Sequence, residues 1–165
     1  MTATFYARIE DSPVGPLLLA GNRDGLRVLA FGAGLRPRKI DPAWALDTTG
    51  ELTTVRRELD EYFAGRLRKF STPLAFGGTP FQHEVWTELC RIPYGETISY
   101  GELARRIKKP DAVRAVGAAN GANPIAIIVP CHRVIGANGS LTGFGGGLPV
   151  KKALLALERG ERSLL

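Results

Sequence analysis

Ile125-Ala126-Ile127-Ile128-Val129-Pro130-Cys131-His132-Arg133 decides how the rest of this 165-residue chain is read. Five consecutive apolar residues fit a buried strand, and the proline that follows has no N–H to offer a neighbour, so regular pairing should stop there. Cys131 would then stand at the rim of a sheet, with His132 beside it. These are the two side chains best suited to act as nucleophile and base near neutral pH. Free cysteines are also among the most buried residues, so Pro130 to Arg133 fit a core thiol next to a surface histidine as well.

Working upstream, Ser99-Tyr100-Gly101-Glu102 has the capping-box pattern and should open a helix through Leu103, Ala104 and Ile107. Lys108-Lys109-Pro110 ends it, and Asp111 to Asn120 forms a second short helix rich in small residues. Arg114 is the one long side chain on it. Two short helices about a tight turn outline a helix-turn-helix, although the shape by itself more often belongs to an ordinary helical hairpin. The formal net charge is +6, and residues 101–133 concentrate it, with Arg105, Arg106, Lys108, Lys109, Arg114 and Arg133 against Glu102 and Asp111. That points to a polyanionic partner beside the candidate nucleophile.

Downstream, Asn138-Gly139 marks a turn, and Gly143-Phe144-Gly145-Gly146-Gly147 is too glycine-rich for helix or strand, so it reads as a pocket-lining loop. A last helix runs from Pro149 or Val150 to about Arg159. On it Glu158 follows Leu154 by four residues and Leu155 by three, which puts a carboxylate on the core-facing stripe. Such a group needs a partner or a task. Glu158 could orient His132, giving a Cys–His–Glu relay.

The N-terminal part reads as short strands at Phe5 to Ile9, Leu17 to Ala20 and Leu26 to Phe31, then a loop from Gly32 to Gly50 and a helix from Glu51 to Ala64, with Phe70 to Phe76 as an edge strand. Thr79-Pro80-Phe81-Gln82 is a strong helix start, and Phe81, Val85, Trp86, Leu89 and Cys90 form its apolar stripe, which makes Cys90 a packed core thiol. The composition shift at Gly77-Gly78 separates an α/β unit over 1–76, of structural role, from a unit over 79–165 that carries the chemistry. The fold class is α/β (α+β): a small sheet-and-helix unit, then a mainly helical domain with the helix-turn-helix and the cysteine. No apolar run approaches the roughly 20 residues of a membrane span, and the start lacks a signal-peptide core, so a cytoplasmic location is expected. His83, His132, Cys90 and Cys131 show no finger-like spacing.

Ile128-Val129-Pro130-Cys131-His132-Arg133-Val134-Ile135 resembles the active-site signature of the O6-alkylguanine-DNA alkyltransferases, the methylated-DNA–protein-cysteine methyltransferases. Pro93 to Gly101, Arg114 to Gly117, Asn123-Pro124 and Leu155 to Glu158 are similar to the same family in the same order, densely over about residues 79–160. The resemblance implies irreversible, single-turnover transfer of methyl and larger alkyl groups from O6 of a flipped guanine to Cys131, with O4 of thymine as a second candidate. It implies that His132, through a water, and Glu158 activate the thiol. Asn123 would tie the helix-turn-helix to the active-site segment, Arg114 fill the space the base vacates, and Tyr100 rotate the nucleotide and donate to the leaving guanine. The Val134 backbone, Phe144 and Gly145 would wall the pocket. Ala115 and Gly117 would let the helix approach the minor groove of double-stranded DNA with little sequence preference.

The resemblance implies a monomer without obligate protein partner, able to bind DNA cooperatively. Many members place tyrosine where Phe144 stands, so one hydroxyl is missing here. Members with structural zinc use N-terminal cysteines and histidines; residues 1–76 have none, so neither metal nor cofactor is expected. A non-catalytic relative would lack Cys131, a helix-turn-helix regulator would not need the Cys–His pair, and a cysteine hydrolase would turn over repeatedly.

Overall fold

In the computed structural model, described over residues 2–32, 38–141 and 143–161, the chain begins as a meander. β1 (Phe5–Ile9), β2 (Leu17–Asn22) and β3 (Gly25–Phe31) pair antiparallel, and β4 (Ala45–Leu46) adds parallel to β1, giving the order β3-β2-β1-β4. The β2–β3 turn is tight because Asn22 accepts from Asp24 N at 2.9 Å. Gly25, at φ +146°, passes so close to Pro73 that a Cβ would sit 2.8 Å from its carbonyl oxygen.

α1 (Thr53–Phe63) starts where the Asp47 carboxylate gathers the N–H groups of Gly50, Glu51 and Leu52 at 2.9 Å each. Its expected face, Leu52, Val55, Leu59, Tyr62 and Phe63, is buried. The expected strand over 70–76 reduces to a single parallel bridge, Leu26 to Leu74. Two causes are visible: Pro73 has no N–H to pair, and the N–H groups of Ser71 and Thr72 turn instead to the Glu58 carboxylate at 2.8 and 2.9 Å.

α2 (Pro80–Leu89) has the full capping box read from Thr79 and Gln82. Cys90 departs from expectation. It is the residue after the last turn of α2 and is exposed, so the stripe of Val85, Trp86 and Leu89 ends before it. β5 (Ile98–Ser99) leads into α3 (Tyr100–Arg106), where half of the expected box forms: Ser99 Oγ accepts from Glu102 N, but the Glu102 side chain turns outward to Arg105 and Arg106. After a turn with Lys108 at φ +62°, α4 (Val113–Gly121) buries Val116, Ala119 and Asn120 and exposes Val113, Arg114, Ala115 and Ala118. Trp86 Nε1 donates to Ala119 O at 2.8 Å and locks α2 to α4.

The stretch 125–129 is buried as expected except for the partly buried Ile128, but it is not a strand. It makes one parallel bridge, Leu29 to Ile125, and then turns, with Val129 N donating to Ile125 O and Ile127 at φ +71°. Asn123 imposes the turn: its side chain accepts from Ile125 N at 3.0 Å and donates to Val129 O at 2.7 Å. A left-handed conformation at a β-branched residue is costly and persists only where the surroundings enforce it. Cys131–Arg133 then form a single 3-10 turn, followed by β6 (Val134–Ile135), parallel to β5, and α5 (Leu148–Glu158). Buried side chains from β2, β3, α1, α2, α3, α4 and α5 join in one apolar core. Among the described residues no helix is long and apolar enough to cross a membrane.

Candidate active site

Because the chain turns sharply at Ile127 and coils again at Cys131, the thiol is carried inward rather than to a sheet rim. Cys131 is buried at the wall of a cavity of about 440 Å³, lined also by Asn120, Asn123, Phe31, Phe144 and Gly145. The glycine loop covers it: the Phe144 ring packs edge-on against Phe31 at 5.5 Å, and Gly146 lies so close that a Cβ would be 2.7 Å from the Phe31 ring. A larger hollow of about 670 Å³ between Trp44 and Trp86 is lined by neither cysteine nor histidine.

Behind the thiol, His132 is fully buried and its Nε2 lies 2.7 Å from Glu158 Oε2. Burial pushes the imidazole below its ordinary pKa, outweighing the pull of Glu158, so the ring is neutral near pH 7. Glu158 is held well below the usual carboxylate range; burial opposes this, but the hydrogen bonds and charges of His132 and Arg133 prevail. An ionised carboxylate fixes the tautomer: Nε2 carries the proton and donates, which leaves Nδ1 as the acceptor. Nδ1 is buried and has no hydrogen-bond partner among the described residues. It is a buried acceptor left open behind the thiol.

The thiol itself is raised above its ordinary value. Burial is the largest cause, offset in part by the Asn123 side chain, the Lys151 charge, and the backbone N–H groups of Cys131 and His132. A thiolate pre-formed in the resting protein, which the relay alone would suggest, is therefore not what the structure shows. The proton must leave during the reaction.

Arg133 also differs from its reading as part of a phosphate-binding patch. It is buried, donates to Glu158 through Nε at 2.7 Å and Nη2 at 3.1 Å, and reaches Ile92 O at 2.6 Å. On the surface, Arg105 and Arg106 pair with Glu102 and Lys109 with Glu84, so part of the positive segment is balanced within the protein. Arg114 projects from α4 into solvent, and Tyr100 packs beside Gly117, where a Cβ would come within 3.8 Å of its ring.

Of the residues read from sequence, Cys131, Asn123, Phe144 and Gly145 meet at the cavity, and His132 and Glu158 stand behind it. Tyr100, Arg114, Ala115 and Gly117 lie on the α3–α4 pair. Val134 is buried, with its carbonyl taken by Lys151 Nζ at 2.7 Å. Sequence reasoning missed Lys151, a fully buried lysine whose ammonium also lies 6.0 Å from the Phe144 ring centroid. It missed Asn120, which donates to Cys131 O, and Tyr62, whose hydroxyl reaches Glu158. Lysine among the leucines of α5 was the available signal for the first; nothing distinguished Tyr62 from other core aromatics.

Fold and site together define an α/β protein organised around one buried cysteine. Comparison with known proteins gives the family. Residues 1–76 match the ribonuclease-like domain and residues 80–160 the DNA binding domain of 6-O-methylguanine DNA methyltransferase. The chain is 51% identical over 153 residues to the methylated-DNA–protein-cysteine methyltransferase of Methanosarcina acetivorans, covering 93% of this chain and 97% of that one. It is 52% identical over 159 residues to the protein of that name from Mycobacterium tuberculosis, covering 94% and 93%. The crystal structure of M. tuberculosis OGT in complex with DNA superposes with a TM-score of 0.87 at 51% identity, covering 95% of this chain and 94% of that one. The chain belongs to the 6-O-methylguanine DNA methyltransferase family.

Proposed function

We propose that this protein repairs duplex DNA by moving an alkyl group from O6 of guanine to Cys131 Sγ, once per molecule. The observation that carries this is the buried Cys131 at the wall of a cavity of about 440 Å³, backed by a neutral imidazole whose only unpartnered nitrogen is an acceptor. The thiol proton passes to His132 Nδ1 through a water while Glu158 Oε2 steadies the imidazolium that forms. Sγ attacks the alkyl carbon, the carbon–O6 bond breaks, and the guanine leaves with its electron pair, protonated from Tyr100. A thioether resists hydrolysis, so the reaction is stoichiometric and needs no cofactor.

Asn123 contributes by holding the turn that presents the thiol. Phe144 and Gly145 close the cavity over the extruded base, while the Val134 carbonyl is taken by Lys151 Nζ. The exposed small residues of α4 fit the minor groove closely, and Arg114 fills the gap left by the flipped nucleotide. Contacts to phosphates rather than bases give little sequence preference. We place the protein in the cytoplasm as a DNA-binding monomer, with residues 1–76 as a supporting unit and 79–165 as the unit of DNA binding and transfer.

The test is to incubate the protein with duplex DNA carrying labelled O6-methylguanine and count label on protein. One equivalent on Cys131, none in Cys131→Ser, is expected; repeated turnover or label on Cys90 overturns the reading. Arg114→Ala should slow duplex repair far more than it weakens binding, while reaction with free O6-benzylguanine stays normal. Equal losses on both substrates would make Arg114 a structural residue.

A further inference from the structure

Tyr62 belongs to α1, in the N-terminal unit, yet its hydroxyl donates to Glu158 Oε2 at 2.6 Å across 96 positions of sequence. The ring has no exposed surface and is wedged among Phe63, Phe70 and Tyr94 at 5.6, 5.5 and 6.3 Å. The same carboxylate oxygen takes His132 Nε2 at 2.7 Å and Arg133 Nη2 at 3.1 Å, while Oε1 takes Arg133 Nε and Gly95 N. A carboxylate oxygen has two lone pairs, so phenol, imidazole and guanidinium share what two donors would saturate. We propose that Tyr62 is a positioning residue through which the N-terminal unit sets how strongly Glu158 holds the His132 imidazole.

The phenol is a dependable donor, since burial and the Glu158 charge keep it protonated throughout the working range. Every hydrogen bond it makes to Oε2 draws charge from the bond to Nε2–H and makes the imidazolium less stable. The other groups facing the pair are Arg133, which lowers the imidazole's proton affinity from the Glu158 side, and Lys151 of α5, whose charge lowers it as well. Tyr94 stands beside Glu158 as a further, half-buried phenol. Of these, Tyr62 alone comes from residues 1–76, so the base strength of the site depends on α1 being docked.

The inference rests on the Cys131–His132–Glu158 reading, and Tyr62→Phe isolates it by removing one oxygen and keeping the ring. With Glu158 less shared, His132 becomes the stronger base. The pH profile of Cys131 reaction with O6-benzylguanine should move to higher pH by roughly half to one unit, the scale on which one hydrogen bond shifts a titration, because the neutral imidazole that takes the thiol proton then forms at higher pH, and below the midpoint the variant should react more slowly than wild type. The His132 imidazole, followed by NMR, should titrate higher. 3-Fluorotyrosine placed at position 62, a stronger donor that preserves the fold, should move both readouts the opposite way. A uniform loss of rate with unmoved midpoints, or coincident profiles, overturns the proposal. His132→Ala is the control for the relay itself: if it leaves the profile unchanged, the relay reading fails, whereas a moved His132→Ala profile beside an unmoved Tyr62→Phe profile defeats this inference alone.

Discussion

Glu58 in the N-terminal unit and Glu158 in the C-terminal unit are nearly equally buried, at 7% and 5% exposure, and both are held below the ordinary carboxylate pKa. Their partners differ in kind. Glu58 is closed by neutral donors: Ser71 N and Oγ on one oxygen, Thr72 N and Oγ1 on the other. Nothing in that set titrates near neutrality, and the result is a clip between α1 and the segment that follows it. Glu158 faces a guanidinium, an imidazole and a phenol, groups whose charge or proton affinity responds to it. One carboxylate is a fastening; the other, in the relay proposed above, is one end of a proton path. Burial and a lowered pKa do not by themselves mark function, and the chemistry of the partners does.

The largest expected effect lies at the far end of that path. His132→Ala removes the base and should slow transfer about 10² to 10⁴-fold, the usual range for general-base assistance, with DNA affinity intact. Single-turnover rates beside a DNA titration measure this. A rate within a few-fold of wild type would reduce Glu158 to a second Glu58.

Glu158→Gln comes next. It leaves the Arg133 guanidinium buried at 9% side-chain exposure without its counter-charge and turns an amide donor toward other donors. Breaking such a pair from one side costs about 3–5 kcal/mol of stability, and denaturant unfolding should show it. The rate should fall less than in His132→Ala, since the glutamate only orients and stabilises the ring. A rate loss equal to that of His132→Ala would mean that the pair acts as one unit.

How much of this contrast could be read from sequence follows the range of the interactions involved. Local patterns were legible: the Thr79–Gln82 box, the α1 stripe and the placement of Glu158 among leucines each need only a few neighbouring residues. The segment 125–129 was not, because an apolar run without period looks the same in a buried strand and a buried turn. The deciding contacts come from the Asn123 side chain. Cys90 was assigned to the core by helical phase, but the helix ended one residue sooner. Arg133 and Lys151 counted as positive charges, whereas one is a buried partner of Glu158 and the other a strut to Val134. Tyr62 is the extreme case, since its partner lies in the last helix of the chain.

Glu58→Gln should give the smallest effect and sharpen the contrast most. An amide keeps one acceptor but sets its NH₂ against the N–H and hydroxyl of Ser71 or Thr72, at a cost of roughly 1–3 kcal/mol. Transfer by the folded protein should be unchanged, because no member of that set touches the cavity or the relay. The acid response separates the two residues further. A carboxylate whose folded pKa lies below its unfolded value, about 4.3 for glutamate, stabilises the fold above that value, and the contribution is lost as pH falls through the folded pKa. Both glutamates are depressed, so wild-type stability should fall below about pH 5. Glu58→Gln should flatten that fall without moving the pH profile of Cys131 alkylation. If it shifts the alkylation profile, the clip reaches the active site through α1 and Tyr62, and the division between fastening and proton path no longer holds.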